Sequence, residues 1–332
     1  MKTRVIAEIG INHDGKIDKA IKLINEAKKT GADIVKFQIF EPNLLATGYA
    51  NKAKYQKQSK LDVEKQVEML KKYTLTHKEH TRLFNHCKKI NIIYSASAFD
   101  LKSAKFLMSL KPLIIKIPSG EITNFPLIKC LSKFNGELIL STGMSNLKEV
   151  SDCLHLIKKN GFNKKNLTLL YCCSSYPTPI EDIDINIMKN LQKKFSLNVG
   201  ISDHSNIFES TFAAVACGAT VVEKHFTLDK NDMGPDHKAS FDIKQFSKMI
   251  KNIKLINSIF KSGDKIVKKS ELETRKISRK SIVAKKNILK GELFTEKNLT
   301  TKRPGTGITP MKWEKIIGKR SKKYFKKDDQ IN

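Results

Sequence analysis

The 332-residue sequence lacks several features that would narrow its function at once. No run approaches the roughly 18 to 20 apolar residues of a membrane helix. The N-terminal apolar run is broken by Glu8 and has no small-residue cleavage site, which argues against a signal peptide. The six cysteines show no CxxC spacing, so we expect reduced, mostly buried thiols. We therefore expect a cytoplasmic protein with no membrane association.

Arginine is also scarce. Only six of the 62 basic residues are Arg, although the formal net charge is +29. The lysines run evenly from Lys2 to Lys327, whereas nucleic-acid binding predicts basic clusters, interleaved aromatics and more arginine. The pattern favours a lysine-rich solvated surface over a nucleic-acid partner, and its field could attract a phosphorylated, carboxylated substrate.

What the sequence does contain is an alternation of short apolar runs with longer amphipathic stretches. Eight strands, each followed by a helix, predict an α/β fold that closes as a (β/α)8 TIM barrel. A doubly wound open sheet is the alternative, but no GxGxxG turn follows any strand. The predicted strands are Val5–Ile9, Asp33–Ile39, Ile92–Ala96, Leu113–Ile117, Leu138–Ser141, Leu167–Cys172, Leu197–Ile201 and Thr220–Lys224. The clearest helical patterns are Ile17–Lys29, Lys78–Lys89, Ser103–Ser109, Leu147–Lys159, Ile183–Lys194 and Ile243–Phe260.

The chain divides into a barrel domain over residues 1–262, a charged linker over 263–279 and a small C-terminal domain over 280–332. The linker has no periodic pattern. The small domain carries short strand-like pieces at Ser281–Ala284 and Leu299–Lys302 with glycine-containing turns. A module of this size is near the limit of independent stability, so we expect it to pack on a barrel, its own or a partner's.

Polar residues follow every predicted strand, at the end where (β/α)8 barrels carry their active sites. Lys36 and Lys116 are the most informative of these residues, because burying a lysine costs free energy unless it faces an anion. Nearby serine hydroxyls favour a phosphate as that anion; they are Ser97, Ser119, Ser141 and Ser202. The alternatives are internal Lys–Glu ion pairs and Schiff-base chemistry by one lysine.

Two histidines, His204 and His225, end consecutive strands, so they could bind a divalent metal whose remaining positions take water or substrate oxygens. The alternative is that they are ordinary polar residues. Three carboxylates are placed to hold hydroxyls or accept protons, namely Glu8, Glu121 and Asp236. The turn Tyr176–Pro179 would hold the Tyr176 ring over the pocket. The alternative is that this turn only stabilises its loop.

Long motifs then resemble the sialic acid synthase family, in order and over nearly the whole chain. They are AEIGINHDG (7–15), VKFQ (35–38), KIPSGEITN (116–124), STGM (141–144), SSYPTPIED (174–182), GISDHS (200–205), EKHFTLDK (223–230) and GPDHKAS (234–240). The tail, residues 279–308, resembles the antifreeze-protein-like SAF domain of that family, which is a β-clip fold.

The resemblance implies that phosphoenolpyruvate condenses with an N-acetylated hexosamine, giving a nine-carbon 2-keto acid and phosphate through C–O cleavage. With N-acetylmannosamine the protein would be an N-acetylneuraminate synthase, which is our first expectation and which the segment TTKRPGTGITPMKW favours. An N,N'-diacetyllegionaminate synthase is the alternative, because those enzymes share GEITN and GPDHKAS closely and use a 2,4-diacetamido-trideoxy-mannose. A catalytically dead carbohydrate-binding protein and a phosphoenolpyruvate-dependent synthase with another acceptor are further alternatives.

The resemblance also assigns roles to residues. It implies catalytic roles for Glu8, Lys36, Glu121 and Tyr176. It implies phosphoenolpyruvate binding by Lys36, Ser97, Lys116, Ser119, Ser141, Ser174 and Ser202. It implies sugar binding by Glu8, Gln38, Tyr176, Asp236 and Arg303, and binding of manganese, or of magnesium, by His204 and His225. Arg303 would come from the partner subunit of a homodimer with a swapped tail. Two departures stand out, since Ala98 replaces the proline of STPF and Ser174 replaces an Asn found in some N-acetylneuraminate synthases.

Overall fold

Eight parallel strands close into a barrel in which each strand pairs with its neighbour in sequence and β8 pairs with β1. The computed structural model describes residues 3–53, 56, 64–261 and 263–332. The strands are β1 Arg4–Gly10, β2 Ile34–Ile39, β3 Ile93–Ala98, β4 Ile114–Ile117, β5 Glu137–Ser141, β6 Leu167–Cys172, β7 Asn198–Asp203 and β8 Val221–His225. The predicted (β/α)8 barrel is therefore confirmed, and the doubly wound sheet is wrong.

Helices surround the barrel, and the six predicted helices are present with ends that differ by at most two residues from those expected. The helices are α1 Ile17–Thr30, α2 Pro42–Leu45, α3 Gln66–Lys72, α4 His77–Lys89, α5 Leu101–Ser109, α6 Phe125–Leu131, α7 Leu147–Lys159, α8 Ile185–Phe195, α9 Glu209–Ala216 and α10 Ile243–Ile259. Thr76 caps α4 and Asn146 caps α7, each in a capping box with a glutamate three residues on. Gly31 ends α1 with φ of 89°, a left-handed conformation that favours glycine. No helix in the part of the chain that the structure describes is long and apolar enough to cross a membrane.

An apolar layer fills the inside of the barrel and forms the floor beneath its C-terminal mouth. Its buried members are Ile6, Ile34, Ile114, Ile139, Leu170 and Val221. β7 contributes Gly200 at this level, where a Cβ would lie 2.2 Å from the Val221 carbonyl oxygen and 2.8 Å from Leu170 Cδ2. Glycine is therefore required there for the strands to approach. A larger apolar core lies between the strands and the surrounding helices.

The C-terminal unit begins just after the barrel, since the chain divides into Met1–Lys261 and Ser262–Asn332. Its strands, β9 Ser281–Ala284 and β10 Leu299–Lys302, pair antiparallel over a small core that includes Ile282, Phe294 and Phe325. The segment predicted as a linker contains a 3₁₀ turn at Lys269–Glu271 and helix α11, Leu272–Ser278. Lys, Glu and Arg are good helix formers, so a charged segment without an apolar period still forms a short helix. A final short helix, α12, spans Trp313–Ile316.

Buried histidines on the outer side of the barrel should make its stability depend on pH. His80 of α4 is fully buried, with Nδ1 3.0 Å from the Tyr94 hydroxyl and its ring edge-on to Phe37. Burial lowers the pKa of His80 to about 3. Because the unfolded chain takes up this proton near pH 6.5, the stabilisation is complete above that pH and is lost as the pH falls towards 3.

The parent should lose free energy of unfolding when the pH falls from 7 to 5. We expect this loss to be smaller in His80→Gln by on the order of 2 kcal/mol. Urea unfolding of each variant at both pH values measures this difference. The exposed His155 supplies the matched control, His155→Gln. Equal losses in the two variants would contradict the assignment.

Candidate active site

A polar layer lies directly above the apolar floor. Side chains alternate along a strand, so residues two positions beyond the floor also face the barrel axis. They are Glu8, Lys36, Lys116, Ser141, Cys172, Ser202 and Glu223, all of them buried. The C-terminal mouth thus gathers two ammonium groups, two carboxyl groups, two hydroxyls and a thiol from seven strands.

The centre of this layer is a buried ion pair. Lys116 Nζ donates to both carboxylate oxygens of Glu223 at 2.9 Å, and Ser202 Oγ donates to Glu223 Oε1 at 3.0 Å. Lys36 Nζ lies 3.8 Å from the same Glu223 oxygen. Glu223 therefore balances charge on both lysines that the sequence singles out.

A second pair lies beside the first. Lys36 Nζ is 2.8 Å from Glu8 Oε2 and donates to Ser97 Oγ at 3.2 Å. Gln38 Nε2 donates to Glu8 Oε1 at 3.3 Å. The structure thus contains the internal Lys–Glu pairs of the alternative interpretation, and it also places both pairs at the mouth among serines.

The two carboxyl groups of this cluster differ in protonation behaviour. Burial raises the pKa of Glu8; Lys36 opposes this rise, and the charge of Glu223 adds to it. Burial alone would raise the pKa of Glu223 as well, but Lys116 and Lys36 outweigh it and bring the pKa to about 2. Divergent carboxyl pKa values mark a division between a proton-transfer group and a permanently charged one. Glu8 is the group that can exchange a proton.

Serine hydroxyls line the side of the mouth formed by β4, β5 and β6. Gly143 N donates to Ser119 Oγ at 3.0 Å, and a Cβ on Gly143 would lie 2.3 Å from Ser174 Oγ. Ser141 Oγ is buried and has no hydrogen-bond partner in the structure. Glycine therefore leaves room for hydroxyls to converge, and one of them is available to a ligand.

The two predicted metal ligands lie next to each other, with ring centroids 5.4 Å apart and the Tyr176 ring 4.1 Å from His204. His204 Nδ1 contacts the Cys173 carbonyl oxygen at 2.9 Å, which leaves Nε2 for a metal. His225 Nδ1 is buried without a hydrogen-bond partner, 3.8 Å from Asp236 Oδ2. This donor set fits a divalent cation.

The protonation of the two histidines differs. Burial, together with His204 and Lys36, lowers the pKa of His225 well below its usual value, which keeps this imidazole in the neutral form that binds metals. Burial alone would lower the pKa of His204 too, but the Cys172 sulphur and the Cys173 carbonyl raise it overall. The two proposed metal ligands therefore differ in the direction of their pKa shifts.

The loop that carries Asp236 is held by the loop after β1. His237 Nε2 lies 3.1 Å from Asp14 Oδ1, and Asn12 Nδ2 donates to Ser240 Oγ at 2.9 Å. Asp14, Asp232 and His237 are close enough together to resemble a metal site, but Lys19 already forms ion pairs with both carboxylates. This group is a structural clamp for the loop.

Two other predicted residues make their hydrogen bonds to groups outside this cluster. Glu121 accepts a hydrogen bond from Asn124 at 2.6 Å, and burial raises its pKa. Arg303 belongs to the C-terminal unit, where it is exposed and its Nε donates to the Ser278 carbonyl oxygen at 3.0 Å. The barrel mouth described above is built from residues of the barrel unit.

The sequence analysis assigned no role to two residues of the mouth, Glu223 and Cys172. Both follow a floor residue by two positions, so the alternation along β8 and β6 could have identified them. Asp203 and Lys224, one position beyond Ser202 and Glu223, point the other way and form an ion pair at 2.9 Å. That pair supports the turn that carries His204.

Comparison with known proteins agrees with this geometry. The NeuB family matches residues 23–265, and the SAF domain matches residues 279–332. The chain belongs to the NeuB family. It is therefore an enzyme, a transferase of the nonulosonate-synthase type, as the resemblance predicts.

Individual relatives refine the comparison. The N,N'-diacetyllegionaminic acid synthase of Campylobacter jejuni is 46% identical over 99% of both chains. The Legionella pneumophila protein of the same name is 38% identical over 95% of this chain and 89% of its own. The N-acetylneuraminic acid synthetase structure from Leptospira borgpetersenii shares 29% identity with a TM-score of 0.72, covering 82% of this chain and 90% of its own. Our first expectation, an N-acetylneuraminate synthase, is not confirmed, and the alternative fits better.

Breaking the buried ion pair of Lys116 and Glu223 should lower the free energy of unfolding far more than breaking an exposed ion pair. We expect Glu223→Gln to lower the free energy of unfolding by about 3–5 kcal/mol, because it leaves a buried ammonium without its ionised partner. Urea unfolding at pH 7 measures the loss. Asp152→Asn, which removes the exposed pair with Lys148, is the matched control and should cause no measurable loss. Similar losses in both variants would contradict the role of Glu223.

Proposed function

We propose that this enzyme is an N,N'-diacetyllegionaminate synthase, which condenses phosphoenolpyruvate with a 2,4-diacetamido-2,4,6-trideoxymannose and releases inorganic phosphate. The observation that carries the acceptor is the 46% identity with a synthase of that name over 99% of both chains. The polar mouth supports the donor, because it combines ammonium groups with clustered hydroxyls. An enzyme that draws on phosphoenolpyruvate is expected in the cytoplasm.

The donor would bind across the lysines and serines of the mouth. Phosphate and carboxylate groups are held best by charged donors together with hydroxyls. We assign this role to Lys36, Ser97, Lys116, Ser119, Ser141, Ser174 and Ser202. The Ser141 hydroxyl has no hydrogen-bond partner in the structure, so it would lose none when the donor binds. Glu223 would keep Lys116 charged and oriented. Ser174, which stands where some N-acetylneuraminate synthases have an Asn, adds a hydroxyl to the serine-lined side of the mouth.

The reaction forms one bond between carbons and breaks one bond between carbon and oxygen. C3 of phosphoenolpyruvate attacks the aldehyde carbon of the open-chain sugar, and the aldehyde oxygen takes up a proton. Water adds to C2, and the tetrahedral intermediate collapses with loss of phosphate and its bridging oxygen. Glu8 is the proposed proton-transfer group, since its pKa is raised. Glu121 and Tyr176 would orient the substrates.

A divalent cation, manganese or magnesium, would be held by His204 and His225. When bound, it supplies Lewis-acid polarisation of the acceptor aldehyde. His225 Nδ1, buried and without a partner beside Asp236, supports this assignment. The sugar hydroxyl and acetamido groups would be bound by Glu8, Gln38, Tyr176, Asp236 and Arg303.

The acceptor is tested by phosphate release from phosphoenolpyruvate with manganese present. We expect kcat/KM for the 2,4-diacetamido-trideoxy sugar to exceed that for N-acetylmannosamine by roughly 10-fold or more, the range in which pocket contacts discriminate related substrates. A chelator should abolish release, and manganese or magnesium should restore it. Phosphoenolpyruvate labelled with ¹⁸O at the bridging position should give labelled phosphate.

Each other result has a defined meaning. Preference for N-acetylmannosamine would return the protein to N-acetylneuraminate synthesis. Full activity in chelator would remove the metal from the proposal. Release with neither sugar would support the catalytically dead alternative.

Arg303 tests the proposed homodimer with a swapped tail. We expect Arg303→Ala to lower kcat/KM roughly 10- to 100-fold, because hydrogen bonds to charged groups contribute about 1.5–3 kcal/mol. Arg320, also exposed in the C-terminal unit, provides the control variant Arg320→Ala. When Arg303→Ala subunits are mixed and reassembled with Glu8→Gln subunits, about a quarter of the parent activity should return. Half of the dimers are then mixed, and each mixed dimer holds one intact site. No recovery would contradict the swap.

A further inference from the structure

One of the six thiols differs from the others in where its sulphur lies. Cys172 ends β6 two positions beyond Leu170 of the floor, so its side chain faces the barrel axis. Its Sγ is 3.8 Å from both Ser174 Oγ and His204 Nδ1. By contrast, Cys87 and Cys153 are buried in helices α4 and α7. Cys172 is therefore the thiol that faces the polar mouth.

The groups around this thiol are of the kinds that bind an anion. A Cβ on Gly143 would lie 3.1 Å from Cys172 Sγ and 2.9 Å from Ser119 Oγ, so the thiol and the serine hydroxyls converge on the Gly143 backbone. Ser141, on the neighbouring strand and in the same layer, is only 2% exposed and its hydroxyl has no partner. Lys36 and Lys116 share that layer. The unpartnered hydroxyl and the two ammonium groups point to an anionic ligand next to the sulphur.

We propose that Cys172 is a modification site for small anionic electrophiles of the β-halo-α-keto acid class, such as 3-bromopyruvate. The lysines would concentrate the anion beside the sulphur, and this proximity raises the effective concentration of the reacting carbon. The inference rests on the proposed function only in that it takes this pocket to bind phosphoenolpyruvate.

The chemistry needs no oxidant or further reactant. The Cys172 sulphur attacks the bromine-bearing carbon, a C–S bond forms as the C–Br bond breaks, and bromide leaves with the bonding pair. The thiol proton passes to solvent. The resulting thioether leaves a carboxylate in the anion pocket, so alkylation should block the donor site and inactivate the enzyme.

A second route to the same residue exists and must be separated from the first. A cavity of about 410 Å³ beside the mouth is lined by Cys172, Thr142, Met144, Asn146, Tyr171 and Leu191. A neutral reagent such as iodoacetamide could enter there without help from the lysines. Selection for an anion is therefore the property that the experiment must measure.

The experiment treats the full-length enzyme with 3-bromopyruvate, without any acceptor sugar, and maps alkylated cysteines by mass spectrometry while residual activity is followed. We expect Cys172 to be modified first, in step with inactivation. Inorganic phosphate or phosphoenolpyruvate at ten times its Kd should slow both processes roughly 10-fold. Iodoacetamide at equal concentration should modify Cys172 with less preference over the other cysteines and without protection by phosphate.

Two variants complete the design. Cys172→Ser should be resistant to inactivation by bromopyruvate relative to its own untreated activity, whereas Cys173→Ser, at the neighbouring half-buried thiol, should be inactivated like the parent. Should Cys172→Ser fail to fold, as judged by circular dichroism, the peptide map of the parent with and without phosphate decides the question.

Modification of Cys130, Cys173 or Cys217 ahead of Cys172 would overturn the proposal, and so would a modification rate that phosphate leaves unchanged. Protection by phosphate but not by phosphoenolpyruvate would support the anion-directed thiol and contradict the proposed donor. Because the alkylation step contains no acceptor sugar, an error in the acceptor would leave the peptide maps and their protection by phosphate unaltered.

Discussion

The barrel mouth depends on the buried ion pair between Lys116 and Glu223. Each of these charges would be costly alone in a site removed from water, and the cost is offset only because the partners meet with two hydrogen bonds. Lys36 and Glu8 extend the pair into a cluster of alternating charge above the apolar floor. The cluster keeps two ammonium groups fixed and dry where a phosphorylated anion would bind.

The same cluster separates the tasks of its carboxyl groups. Glu223 faces both lysines and stays ionised, whereas Glu8 has a raised pKa because burial outweighs its single close partner, Lys36. One carboxylate therefore maintains charge and the other can exchange a proton. Because a permanently ionised carboxylate lies beside a titratable one, anion binding and acid–base chemistry can be combined in a small volume.

Residues outside the mouth hold its geometry. The clamp of Asp14 and His237 fixes the loop that presents Asp236, and Lys224 with Asp203 fixes the turn that presents His204. These contacts bring together segments that are far apart in the chain. They explain why the motifs around positions 12–14 and 234–240 contain more polar residues than the pocket itself uses.

The sequence by itself determined the barrel, the strands and most helices, because the apolar period and the caps are local properties. It also determined that Lys36, Lys116, His204 and His225 lie at one end of the barrel, since parallel strands align their carboxyl ends. Only the tertiary structure decided which side of the barrel wall each strand-end side chain faces. Cys172 and Glu223 face the axis, whereas Asp203 and Lys224 face the helices. Lys116 and Glu223 are 107 positions apart, and closure of the barrel brings them into contact across its axis, which no local pattern encodes.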